Sequence, residues 1–554
     1  MRFYSNIANE ENNGHSLPVW ELLLVFVLCV IPLLAGKFLP LIDLPQHLAM
    51  AKAIVALLDG DAHFSHYYEL DLWPQPYWLY YILVGIFSKF VSIEMANKLV
   101  MCAYSVGITL GVRSLLVAFG RDMRWWVLAV PLAWSTSFFY AFMAYLVGVP
   151  LVLFGIAALE TSCSSVQMPR KWQWYVVILS CLIYLAHAQA YLWFLLSAAV
   201  LLFIHWRGFR WCVRVLFPLT PSFVIFGVWV WRTFGAAQPV PTGQPSANYG
   251  SLWNLGMHWE PFTKRITGVM EQLYGGCTDG SNRWLGWLWL GLIVGAIALA
   301  EKDPRLSPTK EVNAGRKKYQ VEILLAAFLL AWLVLPYDVS GQWYLAPRYL
   351  LFSGAMAIVA AAHSSIWHRR LFFAGVIVSV AFSINVARVI NQFQPAMFGL
   401  FEVLKAVPPG ERIAHFPFDE RNTIGPDGHA TNGIVGVIDL PTSVSAHGYI
   451  PALPGSPEGW MSPTHHAAAY YQVWLGGDIA TSFAAAPTNP VRYRPGMKPG
   501  GLIEYEPENV DMDVAVKDFG WFLVRGTLRG KATRLGEYAE LVAASGSWEL
   551  WRRR

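Results

Sequence analysis

The stretch Leu41-Ile42-Asp43-Leu44-Pro45-Gln46-His47-Leu48-Ala49-Met50-Ala51 comes just after the first apolar run of the chain. A helix begun near Pro45 would set Asp43 and His47 on one face, since residues four apart are neighbours there. A carboxylate where a chain leaves a bilayer is costly unless it meets water, a partner or a substrate. The plain alternative is a helix-capping Asp beside an interfacial His. The place of the pair in the chain favours a functional one.

Working outward, the 554 residues are 55% hydrophobic and only 14% charged, with a mean hydropathy of +0.40. Together with long apolar runs, these values exclude an ordinary soluble protein and indicate a multi-pass membrane protein. The 26 tryptophans suit a chain with many membrane–water boundaries to line. A net charge of +5, carried in short loops, is explained by topology, so no nucleic-acid partner is expected. Cys29, Cys102, Cys163, Cys181, Cys212 and Cys277 are scattered, four of them in expected spans, so neither a disulfide framework nor a thiolate metal site is indicated.

The first span is read from Trp20 to about Phe38, without an A-x-A cleavage signal, and is therefore expected to be retained. Residues 38–96 form the first external loop, because between Lys37 and Lys89 only Lys52 stands against Asp43, Asp59, Asp61, Glu69 and Asp71. Within it, the apolar segment from Pro76 to about Phe90 either crosses the membrane or lies in its outer face. If it crosses, Arg121/Arg124, Arg170/Lys171 and Arg207/Arg210/Arg214 all fall outside; if it lies in plane, all fall inside. The in-plane reading obeys the positive-inside rule. Alternation then gives further spans at 97–119, 125–138, 145–159, 172–186, 191–205, 212–231, 284–300, 321–335, 348–362 and 371–390. The expected fold is a polytopic α-helical membrane protein with about eleven transmembrane helices in residues 1–390.

From Asn391 the composition changes, and Pro, Gly, His and charge return. Residues 391–554 suffice for one external α/β domain. Residues 412–418 and 519–525 read as strands, Thr533 to Ser545 as a helix, and Trp548 to Trp551 as a closing strand.

The layout resembles the GT-C superfamily of integral-membrane glycosyltransferases that use polyprenyl-phosphate sugars, which includes the aminoarabinose transferase of lipid A and the protein O-mannosyltransferases. The local matches are Asp43-Leu-Pro-Gln-His-Leu-Ala-Met-Ala51, Gln75-Pro76-Tyr77-Trp78-Leu79-Tyr80-Tyr81, and Gly120-Arg-Asp-Met-Arg124 in the first inner loop. The resemblance implies that Asp43 is the principal active-site carboxylate and that the membrane face of the cavity receives a lipid-phosphate donor. Two departures stand out. Many members carry a second acid in the next external loop, but residues 135–145 contain none, so a divalent cation held by two loop carboxylates is not supported and no cofactor is assigned. The lysine that some members place before the Pro-aromatic segment is Gln75 here, so the donor phosphate needs another cation.

Sugar transfer from a polyprenyl phosphate needs a carboxylate to orient or deprotonate the acceptor hydroxyl, and a cation to offset charge on the departing phosphate. Asp43 fits the first role, with His47 as its helical neighbour. Arg348, after Gln342-Trp343-Tyr344-Leu345-Ala346-Pro347 at an outer span end, fits the second; Lys89 and Lys98 are the other cations of the first loop. The competing reading is an interfacial arginine that snorkels to headgroups. His187 at an outer span end, Gln75, Tyr77, Tyr344 and the pair His465-His466 complete the expected cavity and acceptor side. Adjacent histidines on a helix point about 100° apart, so a metal site at 465–466 is not expected.

The expected function is transfer of a sugar from a polyprenyl-phosphate carrier to a lipid or glycan acceptor outside the membrane. A transporter or flippase for a lipid-linked glycan would show internal repeats or ionisable residues deep in several spans, and neither is evident. A non-catalytic scaffold of glycan assembly is the third reading, kept by the missing second acid. Asn-x-Ser/Thr sites are absent, which points to a bacterial plasma membrane, with the C-terminal domain outside the cytoplasm.

Overall fold

The computed structural model describes residues 19–41, 44–61, 65, 68–165, 170–232, 257–276, 280–299, 319–339, 344–362, 366–408, 413–417, 491–493, 512–528, 530–546 and 548–554. Asp43, His465 and His466 lie outside them. Helix α1 (Val19–Leu34) includes a π-turn over Phe26–Val30 and leads to the first long loop. That loop carries α2 (Leu44–Leu58), strand β1 (Tyr68–Leu70) and α3 (Trp78–Ser88). At about 1.5 Å per residue, the 11-residue α3 rises about half the thickness of a hydrocarbon core.

Then come α4 (Ile93–Ala118), a broken segment α5 (Met123–Ala133) that starts as 3-10 helix, and α6 (Met143–Ser164). The hairpin α7 (Arg170–Ala186) and α8 (Ala188–Ile204) turns over at His187. Helix α9 (Phe209–Val230) contains a 3-10 turn at Phe217–Leu219. Strand β2 (Met257–His258) and the short α10 (Phe262–Thr267) and α11 (Val269–Tyr274) precede α12 (Ser281–Ala298) and α13 (Gln320–Val334). Strand β3 (Asp338–Val339) pairs with β2, and α14 (Tyr349–Ala361) and the 39-residue α15 (Ile366–Leu404) complete the helical part.

The centre is α6, with 89% of its most apolar window buried inside the protein. Its close fit to α4 depends on two missing side chains. A Cβ at Gly107 would fall 2.8 Å from Pro150 Cβ, and one at Gly111 would fall 2.8 Å from Leu153 Cβ. Glycines four apart make a groove into which α6 seats its own side chains, as small residues do between packed membrane helices. Four helices among the described residues are long and apolar enough to cross a membrane: Ile93–Ala118, Met143–Ser164, Phe209–Val230 and Arg369–Leu404. Seven others, of 10–17 residues, are apolar but shorter, so the eleven expected crossings are not all matched by full-length helices.

The end of the chain forms a four-stranded sheet in the order β4-β6-β8-β7, from β4 (Ile413–Pro417), β6 (Trp521–Arg525), β7 (Ala539–Ser545) and β8 (Trp548–Arg553). Strands β4 and β6 run parallel, and the other pairs are antiparallel. Helix α16 (Met512–Asp518) precedes β6. The expected helix over 533–545 is corrected. Only Leu535–Tyr538 makes one α-turn, and 539–545 pairs with β8 through a hairpin at Gly546, whose φ of +62° suits glycine. Strand β5 (Val491–Tyr493) lies apart from this sheet and pairs with β1, tying the first long loop to the C-terminal part.

Two contacts fix the entry to the first loop. Gln394 of α15 clasps Phe38, accepting from its N–H at 3.0 Å and donating to its carbonyl at 2.8 Å. Lys98 of α4 donates to the Gly36 carbonyl. Farther along α15, Ser545 donates to the Glu402 carboxylate at 2.6 Å, and Gly399 lies under the Ser545 carbonyl.

Candidate active site

Among the described residues, three non-glycine residues adopt the left-handed backbone region: Tyr77 (φ +80°), Ala141 (φ +61°) and Tyr344 (φ +63°). Such a conformation costs roughly 1–3 kcal/mol at a residue with a Cβ, and persists where the surroundings impose it. All three lie in loops that meet around the start of α14. Tyr77 donates its N–H to the Ala186 carbonyl at the end of α7, 3.2 Å away. Its ring meets His187 edge-on at 4.7 Å. Ala141 belongs to the turn between Thr136–Phe139 and α6. Tyr344 packs against Tyr140 at 5.5 Å and Phe142 at 5.9 Å, and its hydroxyl donates to the Gln272 carbonyl. Burial holds the Tyr344 phenol well above its ordinary pKa, so it acts as a neutral donor.

Arg348 lies at the centre of this group. It is the N-cap residue of α14 and only 8% exposed. Its guanidinium stacks over Phe142 at 4.1 Å and near Tyr145 at 5.4 Å, and Nη1 donates to Gln189 Oε1 at 3.0 Å. Aromatic faces stabilise a cation through their quadrupole without adding a counter-charge. Tyr145 donates to the Arg348 carbonyl at 3.1 Å, which ties α6 to the start of α14. The charge reaches His187 and Tyr344, so these three expected residues share one environment. His187 also has a local role as the N-cap of α8, its Nδ1 accepting from Gln189 N–H at 3.1 Å.

His47 approaches the group from α2. Its Nδ1 is 2.9 Å from the Tyr81 hydroxyl, and the Ala141 carbonyl accepts from the ring. Ala141 adjoins Phe142, the platform of Arg348, so the 140–142 turn links the first loop to the arginine. Enclosure in this site lowers the His47 pKa to about 4, against a smaller upward pull from the Ala141 carbonyl. The neutral ring is therefore the native form at neutral pH.

This shift has a signed consequence. Between the ordinary histidine pKa of 6.5 and the folded value of about 4, the unfolded chain binds the extra proton. Stability should fall as pH drops through that window, by about 3 kcal/mol in all, and this contribution should be complete above pH 6.5. Thermal midpoints of purified protein between pH 7 and 4 should show a slope that His47→Gln flattens. An unchanged slope in the variant would remove His47 as its source.

The other expected residues are placed differently. Lys98 is buried and engaged with the Gly36 carbonyl, holding the loop that leads to Asp43. Lys89 is half-exposed and forms a 2.5 Å ion pair with Asp59 on the surface. Gln75 is buried two residues before Tyr77. Reading the sequence missed Gln189, Phe142, Tyr145 and the Ala141 turn. A polar residue two positions after a histidine at a hairpin apex is a signal for Gln189; a left-handed alanine has none.

No protein-family model matches the chain, and no curated protein matches it by sequence. The solved structure of ArnT from Cupriavidus metallidurans, bound to undecaprenyl phosphate, aligns with a TM-score of 0.50 over 96% of this chain and 97% of that one, at 10% identity. The chain has an ArnT-like fold. The described helices and the small terminal sheet share that arrangement, in line with the mostly helical fold expected from the sequence. Arabinofuranosyltransferase AftD from Mycobacteria aligns over 97% of this chain at 14% identity and a TM-score of 0.47. The chain spans 40% of the length of AftD.

Proposed function

We propose that the protein is a GT-C-type glycosyltransferase that moves a sugar from a polyprenyl-phosphate donor to a lipid or glycan acceptor on the outer face of a bacterial plasma membrane. The observation that carries this reading is a buried, aromatic-stacked arginine at the N-cap of α14, in a fold shared with a protein solved bound to undecaprenyl phosphate. A cation kept in an aromatic enclosure suits a phosphate ester that arrives with a lipid tail, because its charge is screened little there.

In this reading the acceptor hydroxyl attacks the anomeric carbon and the carbon–oxygen bond to the phosphate breaks. The hydroxyl proton passes to Asp43, and the phosphate leaves as polyprenyl phosphate with its new charge facing Arg348. His47 orients the loop end that carries Asp43 and stays neutral. Lys98 and Gln394 hold that loop from below. His465 and His466 belong to the acceptor side in the C-terminal domain.

Retention of lipid phosphate tests the reading. Protein purified in detergent and mixed with equal amounts of undecaprenyl phosphate and undecaprenol should keep about one phosphate-bearing lipid per chain by native mass spectrometry. Equal retention of the alcohol would show that the phosphate is not recognised and would overturn the proposal.

A further inference from the structure

From Thr161 to Trp259 the sequence holds no Asp or Glu, yet it carries Arg170, Lys171, Arg207, Arg210, Arg214 and Arg232. Three of these arginines fall where α8 gives way to α9, and the first two turns of α9 sort their residues into three faces. Cys212 and Val215 are buried against the bundle. Phe209 and Val213 form an exposed apolar row that Phe217 continues, with Phe209 75% and Phe217 72% exposed. Arg210 and Arg214 are exposed about 100° farther round the same helix. Arg207 donates to the Ser164 carbonyl at 3.2 Å and the Ser165 carbonyl at 3.3 Å, which fastens the segment to the end of α6. Glu160, the acid just before this stretch, is buried and already engaged, accepting from Ser164 at 2.6 Å and lying 2.9 Å from His205 Nε2. Tyr145 near the start of α6 touches Arg348, and Ser164 at its end meets Arg207. At about 1.5 Å per residue the two places lie roughly 30 Å apart, the thickness of a hydrocarbon core.

We propose that residues 206–217 seat on the leaflet opposite the Arg348 site and bind acidic phospholipid there, with Arg210 and Arg214 on the headgroup and Phe209, Val213 and Phe217 among the acyl chains. An apolar row with a basic row beside it is what a helix needs to lie at a membrane surface, because one row gains by leaving water and the other by meeting anionic headgroups. A soluble acidic partner would suit the arginines but leave the neighbouring phenylalanines to be matched separately. A phospholipid offers a hydrocarbon chain and a charged phosphate in one molecule. Long arginine side chains reach from the apolar row to the phosphate level without leaving the helix surface. The inference rests on the membrane reading of the chain and is independent of the chemistry assigned to Arg348.

The test is native mass spectrometry of the full-length protein released from nanodiscs of equal parts phosphatidylglycerol and phosphatidylcholine. The original protein should retain phosphatidylglycerol in preference to phosphatidylcholine. Arg210→Gln with Arg214→Gln should lower that preference by on the order of tenfold, since each arginine near the surface contributes separately. Arg210→Lys with Arg214→Lys should keep most of it, because the attraction is to charge. Arg369→Gln with Arg370→Gln removes the same charge from the exposed start of α15 and should change the preference less than about twofold. Equal losses in the two glutamine pairs would show a diffuse attraction of net charge and overturn the site. So would an original protein that retains both lipids alike, or one that leaves the nanodisc as a dimer in which a second copy, rather than lipid, is lost with Arg210 and Arg214. Both variant pairs change exposed side chains, and thermal midpoints check that they fold; if the double change at 210 and 214 does not, each single change is expected to give about half the effect on a logarithmic scale. A chain that stays dispersed without detergent or lipid would reject the membrane reading and this inference together. Lost preference in neither glutamine pair rejects the inference only.

Discussion

Asp43→Asn should reduce sugar transfer by roughly 10²–10⁴-fold, the usual contribution of a positioned general base, while the protein still inserts and purifies. In the sequence this acid follows the first apolar helix, and the described residues on either side of it are held by specific contacts. Before it, the chain is clasped at Phe38 by Gln394 and at Gly36 by Lys98. After it, α2 starts at Leu44 and brings His47 to Tyr81 and Ala141. An amide keeps the shape of the carboxylate and one acceptor oxygen, but its NH2 only donates and it cannot take a proton from an acceptor hydroxyl. His47→Ala should lose less, because its neutral ring supports the loop and takes no part in bond breaking. The measurement is turnover on a verified donor and acceptor, with thermal midpoints as the control for folding. Near-normal turnover in Asp43→Asn would end the catalytic assignment.

Arg348→Ala should lose about 2–4 kcal/mol of transition-state stabilisation, by analogy with lost oxyanion donors. That corresponds to a fall of roughly 30- to 900-fold in kcat/KM. Arg348→Lys should lie between the two, because an ammonium restores the charge but not the planar fork that can hold two phosphate oxygens at once. Its shorter reach also gives up the stacking on Phe142 seen at 4.1 Å. The order arginine, lysine, alanine in kcat/KM, at comparable thermal midpoints, is the expected outcome. Equal activity of all three would show that the guanidinium serves only the start of α14.

Much of the helical layout was legible because apolar runs of span length have few alternatives. The expected span at 145–159 lies inside α6, and the strands at 412–418, 519–525 and 548–551 fall on β4, β6 and β8. The misreadings have local causes. Residues 539–545 contain three alanines and a leucine, good helix formers, but their pairing with β8 outweighs that preference. Residues 125–138 looked like one span, yet Pro131 and the extended Ser135 divide them into short turns. Helix α15 continues past residue 390 despite polar residues and Pro395, because Leu400, Val403 and Leu404 keep one face buried.

The site divides in the same way. His47, Tyr77, His187, Tyr344 and Arg348 could be chosen from the sequence because ionisable or aromatic residues at span ends are conspicuous. That they converge could not be read there. Convergence depends on three strained turns and on the α7–α8 hairpin, none of which leaves a residue pattern of its own.

Helix α15 has a further consequence as a ruler. Gln394 grips the first loop and Glu402 grips the terminal sheet, so eight helical positions set both the distance and the rotational phase between them. One residue inserted between these grips would lift the sheet by about 1.5 Å and swing it by about 100° about the helix axis. Seven would carry it roughly two full turns and return it nearly to phase at about 10 Å greater height. The gap between loop and sheet is thus quantised by the helical repeat, and chain length can vary there only in whole turns without turning the sheet away from the loop.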